Sequence, residues 1–217
     1  MTTTRYGVRK PTEDDIRKGG FSTPWDAPMV PPFPFEFRNA EVITLYWRTD
    51  PDSMAFLLPP RLKPDGNIVC AHIYKMNDTD WLGSYAEANV MIAARFGDLT
   101  GAYSPYLVLS SDLGVAHGRE VHGQPKKLGQ SSIEFRGDLM VGTVERNGIS
   151  VLTGTIPYKQ RRLSASGVAP YFDFTTNLNL KSVDHIDGKP AIRQLTSRKL
   201  ADVNVHEAWG GPCTVEL

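Results

Sequence analysis

The sequence of 217 residues is short of several features, and each shortage excludes a class of protein. It has no excess charge, since 24 Lys and Arg residues balance 24 Asp and Glu residues. Neither a nucleic-acid-binding nor a polybasic membrane-binding protein is therefore indicated. The two cysteines, Cys70 and Cys213, have no metal-ligand spacing and form no disulfide framework. No run approaches the roughly 18 apolar residues of a membrane helix, and the N-terminus lacks a signal-peptide pattern. These absences predict a cytoplasmic protein without membrane or nucleic-acid partners.

Cofactor-binding patterns are also scarce. Neither the P-loop nor the dinucleotide-binding glycine pattern occurs. His117, Glu120 and His122 come nearest to a metal cluster, but their spacing is irregular for one helical face and no second ligand group stands out. The sequence therefore predicts a protein that works without a cofactor or a metal.

Short strands dominate what is present. β-branched and aromatic segments, separated by turn residues, predict strands at 41–48, 68–75, 85–94, 103–109, 131–136, 139–146, 149–156, 171–180, 192–205 and 214–217. Asn147-Gly148 is the strongest hairpin signal, and Asp65-Gly66-Asn67 predicts another turn. The predicted class is α+β, mainly antiparallel β, with strands that curl into a barrel or a cone.

Helices are predicted at only a few places. Asp50-Pro51 begins a short helix that Pro59-Pro60 ends, and Ser111-Asp112 begins a second one that runs towards Gly123. Residues 1–34 are rich in Pro and Gly and predict an extended arm with one helical turn near residues 12–16. Residues 35–217 show no linker and predict a single domain.

The segment 118–130 contains the most informative residues, Lys126 and Lys127, directly behind Pro125. Three glycines and the fixed φ of the proline predict a stiff, tightly turning backbone. Removal from water and a second ammonium nearby both favour the neutral form of a lysine amine. A neutral amine attacks a ketone and forms an iminium ion, which accepts the electrons of a breaking carbon–carbon bond. The segment therefore predicts a lysine that acts as a nucleophile.

Several segments of the sequence are similar to those of one known family and occur in the same order: 46–50, 78–79 with 83–87, 118–120 with 125–129, and 205–212. The family that they resemble is the acetoacetate decarboxylase family, an established example of a lysine activated in this way, and the resemblance covers residues 20–217. It implies that Lys126 forms the Schiff base, that Lys127 favours its neutral form, and that Glu87 orients the substrate and the catalytic groups. It also implies an antiparallel β-cone with peripheral helices, assembled as a homo-oligomer.

The residues around the lysine depart from the family pattern. Ala40 stands where the resemblance implies an arginine, His72 where it implies an acidic residue, and Gln124 where it implies an aromatic residue. Arg38 lies two residues from Ala40 on the same face of a strand and could supply the missing cation. Tyr85 shares a strand face with Glu87, and this polar face is compatible with exposure either to solvent or to a water-containing pocket.

These residues predict a carbon–carbon lyase that decarboxylates a 3-oxo acid. The altered pocket residues keep a second hypothesis open, in which the same iminium serves an aldolase or a dehydratase acting on an oxo acid or an aldehyde. A third hypothesis is a non-catalytic protein that binds a small carbonyl compound. All three predict a small-molecule partner for the pocket around Lys126.

Overall fold

A computed structural model describes residues 10–18, 24, 28–30, 34–168 and 176–217. The strands are β1 (Phe37–Arg38), β2 (Glu41–Arg48), β3 (Lys63–Met76), β4 (Asp78–Thr79), β5 (Tyr85–Phe96), β6 (Leu99–Leu109), β7 (Lys126–Leu128), β8 (Gln130–Arg136), β9 (Leu139–Arg146), β10 (Ile149–Pro157), β11 (Arg161–Arg162), β12 (Asn177–Asp184), β13 (Pro190–Arg198), β14 (Trp209–Gly210) and β15 (Thr214–Glu216). The helices are α1 (Glu13–Lys18), α2 (Pro51–Leu57), α3 (Asp112–His117) and α4 (Ala165–Val168), and a π-helical turn (Gly118–His122) continues α3. Most of the predicted arm and the first part of the predicted strand 171–180 lie outside the described residues.

Local sequence signals explain where the helices begin. The side chain of Asp50 accepts a hydrogen bond of 2.9 Å from the backbone N–H of Ser53, and Pro51 takes the first helical position of α2. Ser111 caps α3 in the same way through the N–H of Gly114 at 3.1 Å. Both predicted helix starts are therefore confirmed.

Turn chemistry sets the hairpins. Asn147 and Gly148 have φ values of 53° and 77°, the left-handed conformation that a two-residue hairpin loop requires, so this predicted turn is confirmed. The turn predicted at residues 65–67 is wrong, because β3 runs through it without a break. Gly66, at φ 86°, instead accompanies a shift of register between Pro64 and Val69 against β5, as expected for a β-bulge. The strand predicted at 192–205 ends at Arg198.

Two sheets pack face to face. The larger sheet has the strand order β13-β12-β6-β5-β3-β2, with β7 also paired to β6, and the smaller one has the order β15-β10-β9-β8. Buried apolar side chains from both sheets form the main core: Ile43, Leu45, Ala71, Ile73, Ala88, Val108, Val144 and Leu152. The predicted α+β, mainly antiparallel fold is confirmed, and among the described strands neither sheet closes on itself. In the described ranges, no helix has both the length and the apolar character needed to cross a membrane.

Candidate active site

Strand alternation places a polar set of side chains on the face of the larger sheet that points away from the core. The antiparallel register of β3 and β5 puts Tyr74 opposite Glu87 and His72 opposite Asn89. The residues between them, such as Ile73, enter the core. The polar face predicted for Tyr85–Ala94 is thus the inner face of a site, with Tyr85, His72, Glu87 and Asn89 all buried.

One edge of β6 brings the lysine segment to this polar face. β7 pairs in parallel with the second half of β6, with Lys126 opposite Leu107. β12 pairs in parallel with the first half, with Asn177 opposite Ala102. Side chains from two distant segments of the chain therefore meet beside β5.

Lys126 and Glu87 form a buried ion pair at the centre of the site. The Nζ of Lys126 donates to Oε2 of Glu87 at 3.0 Å, and the two side chains are only 8% and 11% exposed. Burial of a single charge this far from water is costly, and the cost is offset here because the two opposite charges pair with each other. Transfer of one proton from the ammonium to the carboxylate would leave a neutral amine beside a carboxylic acid.

Lys127 does not join this buried pair. It is exposed, and as the next residue of strand β7 it projects to the face opposite Lys126. The expectation of two buried ammonium groups side by side is therefore wrong. The two lysines, predicted to lie in a stiff turn, instead lie in the short strand β7. This strand follows the π-helical turn, and Gly123, at φ 76°, lies between the turn and the strand.

Gly118, the first residue of the π-helical turn, is in close contact with the lysine side chain. A Cβ atom at this position would lie 2.3 Å from Cδ and 2.6 Å from Cε of Lys126, and 3.0 Å from Oε1 of Gln124. The absence of a side chain at residue 118 therefore fixes the path of Lys126 towards Glu87.

Gly118→Ala is expected to lower the rate of turnover roughly tenfold or more while the protein stays folded, because misplacing a reactive group by about 1 Å is enough for such a loss. Steady-state kinetics and thermal unfolding measure the two effects. Gly167→Ala in α4 is the matched control, since the nearest atom there lies at 3.4 Å. Unchanged kinetics in Gly118→Ala would contradict this role.

His72 contributes a neutral imidazole to the site. Burial lowers the pKa of His72 to about 4, and its Nδ1 shares a hydrogen bond with the hydroxyl of Tyr74. Burial, followed by the charge of Glu87, raises the pKa values of Tyr74 and Tyr85, so both phenols keep their protons. Nε2 of His72 and Oδ1 of Asn89 have no hydrogen-bond partner among the described residues, so both remain able to contact a substrate.

The other predicted pocket residues divide into two groups. Gln124 is buried, 3% exposed, and its Nε2 donates to Oδ1 of Asn177 at 3.4 Å. Arg38 and Ala40 are exposed. Arg38 pairs with Glu36 at 2.9 Å and with Asp80 at 2.8 Å, so surface carboxylates hold its guanidinium, and its role as the replacement for the missing cation stays a prediction.

Sequence reasoning missed Arg198 and Asn177. Arg198 ends β13 opposite Asn177 on β12, and its Nη1 donates to Oδ1 of Asn177 at 3.5 Å. Neither residue belongs to a recognisable motif, so only the pairing of β12 with β6 and β13 reveals them.

His117 and His122, which come nearest to a metal cluster in the sequence, lie beside the site with ring centroids 5.1 Å apart. Burial comes first among the causes that lower both pKa values to about 4, and the charges of Lys126 and Arg198 add to it. Within the described part of the chain, no group of three or more metal-ligating side chains occurs.

Comparison with known proteins links this geometry to one family. The family model described as acetoacetate decarboxylase (ADC) matches residues 21–217. The chain is 35% identical to acetoacetate decarboxylase of Clostridium acetobutylicum over 205 residues, which are 94% of this chain and 83% of the relative. It is 32% identical to acetoacetate decarboxylase 1 of Bradyrhizobium diazoefficiens, over 94% of this chain and 81% of the relative.

Solved structures agree with these sequence relatives. A structure of acetoacetate decarboxylase superposes with a TM-score of 0.87 at 34% identity, covering 95% of this chain and 84% of the other. The enzyme of Legionella pneumophila gives 0.83 at 28% identity, over 97% and 84% of the two chains. The enduracididine biosynthesis enzyme MppR, complexed with the condensation product of pyruvate and imidazole 4-carboxaldehyde, shares the fold with a TM-score of 0.79 at 18% identity, over 97% and 85%.

Proposed function

This chain belongs to the acetoacetate decarboxylase family and is a carboxy-lyase, and from that premise we propose that it decarboxylates a 3-oxo acid through a Schiff base on Lys126. The observation that carries the proposal is the buried contact of 3.0 Å between Nζ of Lys126 and Oε2 of Glu87. A lysine buried with a single carboxylate has both a reactive amine and an acceptor for its proton.

The first half of the reaction forms the iminium. Glu87 takes one proton from the Lys126 ammonium, and the neutral amine attacks the carbonyl carbon of the 3-oxo acid. The resulting carbinolamine receives the proton back from Glu87 on its hydroxyl and loses water, which leaves a positively charged iminium and an ionised Glu87. The same carboxylate thus serves first as base and then as acid.

The second half breaks the carbon–carbon bond. The electron pair of the bond to the carboxylate carbon moves into the iminium, which becomes a neutral enamine as carbon dioxide leaves. A proton taken up from the solvent then adds to the enamine carbon and regenerates an iminium. Water hydrolyses this iminium to the ketone and the free lysine. Nε2 of His72, whose Nδ1 shares a hydrogen bond with the Tyr74 hydroxyl, can donate to a substrate oxygen, and Oδ1 of Asn89 on the same face can accept from the carbinolamine hydroxyl.

Borohydride trapping tests the covalent step. Incubation with acetoacetate followed by borohydride is expected to add one reduced ketone adduct to Lys126, seen by peptide mass mapping, while carbon dioxide is released before the quench. Carbon dioxide without any adduct would contradict the Schiff base. No adduct and no turnover would favour the non-catalytic binding protein.

A parallel incubation with pyruvate and an aldehyde separates the two enzyme hypotheses. A condensation product from this mixture, with no carbon dioxide from acetoacetate, would support the aldolase or dehydratase hypothesis instead of decarboxylation. An adduct on Lys126 is expected in either case, since both reactions pass through the iminium.

Three expectations from the sequence stay predictions. They are a homo-oligomeric assembly, a cytoplasmic location, and a single catalytic domain over residues 35–217.

A further inference from the structure

Arg198 is a cation of the site that lacks a carboxylate partner among the described residues. It is half-buried at the end of β13, and its one hydrogen bond there is the 3.5 Å contact with the neutral side chain of Asn177. Arg193 on the same strand shows the ordinary alternative, because its guanidinium is paired with Asp184. An arginine held inward without a counter-charge is suited to bind an anion.

A short polar chain connects Arg198 to the reactive lysine. Oδ1 of Asn177 lies 3.5 Å from Nη1 of Arg198 and also accepts from Nε2 of Gln124 at 3.4 Å. Gln124 stands two residues before Lys126, and its backbone carbonyl accepts the N–H of Lys126 at 2.8 Å. Nδ2 of Asn177 lies 3.9 Å from the sulfur of Met91, so Asn177 reaches over β5 on the face that carries Glu87.

The charge of Arg198 acts on the groups around the lysine. It contributes, after burial, to the lowered pKa values of His117 and His122, and it opposes the effect of Glu87 on the pKa values of Tyr74 and Tyr85. Since Lys126 and Glu87 neutralise each other, Arg198 gives this part of the site a net positive character.

The reaction determines which carboxylate of a substrate this cation can bind without slowing turnover. The carboxylate that leaves as carbon dioxide loses its negative charge in the transition state. A cation fixed on that group would stabilise the bound substrate more than the transition state and would slow the reaction. A carboxylate that the substrate keeps is charged throughout, and a cation on it holds the substrate without this cost.

We propose that Arg198 binds a carboxylate which the substrate retains, so that the preferred substrate is a 3-oxo dicarboxylic acid rather than a 3-oxo monocarboxylic acid. This inference rests on the proposed decarboxylation at Lys126. The first carboxylate leaves as carbon dioxide with its electron pair taken by the iminium. The second stays on the guanidinium and keeps the enamine in place for protonation.

The test compares acetoacetate, with one carboxylate, and 3-oxoglutarate, with two. The intact protein is expected to show the higher kcat/KM with 3-oxoglutarate. Arg198→Gln is expected to lower the ratio of the two kcat/KM values roughly tenfold to a hundredfold, mainly by raising KM for 3-oxoglutarate, since a hydrogen bond to a charged group contributes about 1.5–3 kcal/mol. Arg198→Lys should restore part of this ratio.

Arg193→Gln is the matched control, because it removes a cation of the same strand from the surface and should leave the ratio unchanged. Titration of His117 and His122 by NMR tests whether the Arg198→Gln site is still assembled: both pKa values are expected to stay well below the ordinary histidine value, because burial, the larger cause of the lowering, remains in this variant. An unchanged ratio in Arg198→Gln, or a preference of the intact protein for acetoacetate, would overturn the inference. Borohydride adducts with both substrates would then still support the proposed function, whereas the absence of adducts would contradict both the proposed function and the inference about Arg198.

Discussion

Lys126→Met is expected to abolish decarboxylation and borohydride labelling together. The substitution keeps an unbranched side chain of similar length and removes the amine, so no carbinolamine can form. We expect turnover to fall on the order of 10⁴-fold or more, as for the loss of other covalent nucleophiles. Carbon dioxide release and peptide mass mapping measure the two losses. Retained turnover would mean that Lys126 binds the substrate without reacting with it.

Lys127→Met is the matched control for Lys126→Met, because it removes the amine of the adjacent lysine. Because Lys127 is exposed on the opposite face of β7, we expect kcat to change within about threefold and the adduct on Lys126 to form as before. The sequence alone predicts a much larger loss, since it assigns Lys127 to the activation of Lys126. A large drop in kcat for Lys127→Met would therefore favour that first prediction over the one drawn from the structure.

Features determined by neighbouring residues could be predicted from the sequence. Asn147-Gly148 forms its hairpin loop because few other residues tolerate positive φ at both positions. Asp50-Pro51 begins α2 because the aspartate side chain and the proline ring act within one turn. Residues 65–67 show the limit of such signals. A glycine at positive φ fits a turn and a β-bulge equally well, and the pairing of β3 with β5 decides between them.

The candidate site depended on a different kind of information. The segment 118–130 indicates Lys126 by its own residues, whereas Glu87, far from it in the sequence, is indicated only by the family resemblance. Period-two alternation alone would have separated Lys127 from Lys126 once β7 was known to be a strand. Arg38 is near Ala40 in the sequence, but the acidic residues that pair with it come partly from β4 and the turn after it. Arg198 enters the site only through the pairing of β12 with β6 and β13, which no local pattern encodes.

Glu87→Gln is expected to lower kcat by a factor of about 10²–10⁴, the usual contribution of a positioned acid or base. The amide still accepts a hydrogen bond from Lys126 but cannot take its proton, so KM should change far less than kcat. Steady-state kinetics with 3-oxo acids measure both constants. A variant with unchanged kcat would show that another group handles the proton.

Glu87→Ala separates the stability of the ion pair from its chemistry. It leaves the buried Lys126 ammonium without its partner, and we expect the free energy of unfolding to fall by about 3–5 kcal/mol in denaturant titration. Glu134→Ala, which breaks a surface pair with Arg136, should cost at most about 1 kcal/mol. Adding Lys126→Met to Glu87→Ala should recover much of the lost stability, because the second change removes the unpaired charge. If the double variant instead loses as much free energy of unfolding as the two single variants together, the contact contributes no coupling energy. The site would then lack the electrostatic constraint that holds the amine and its proton acceptor together.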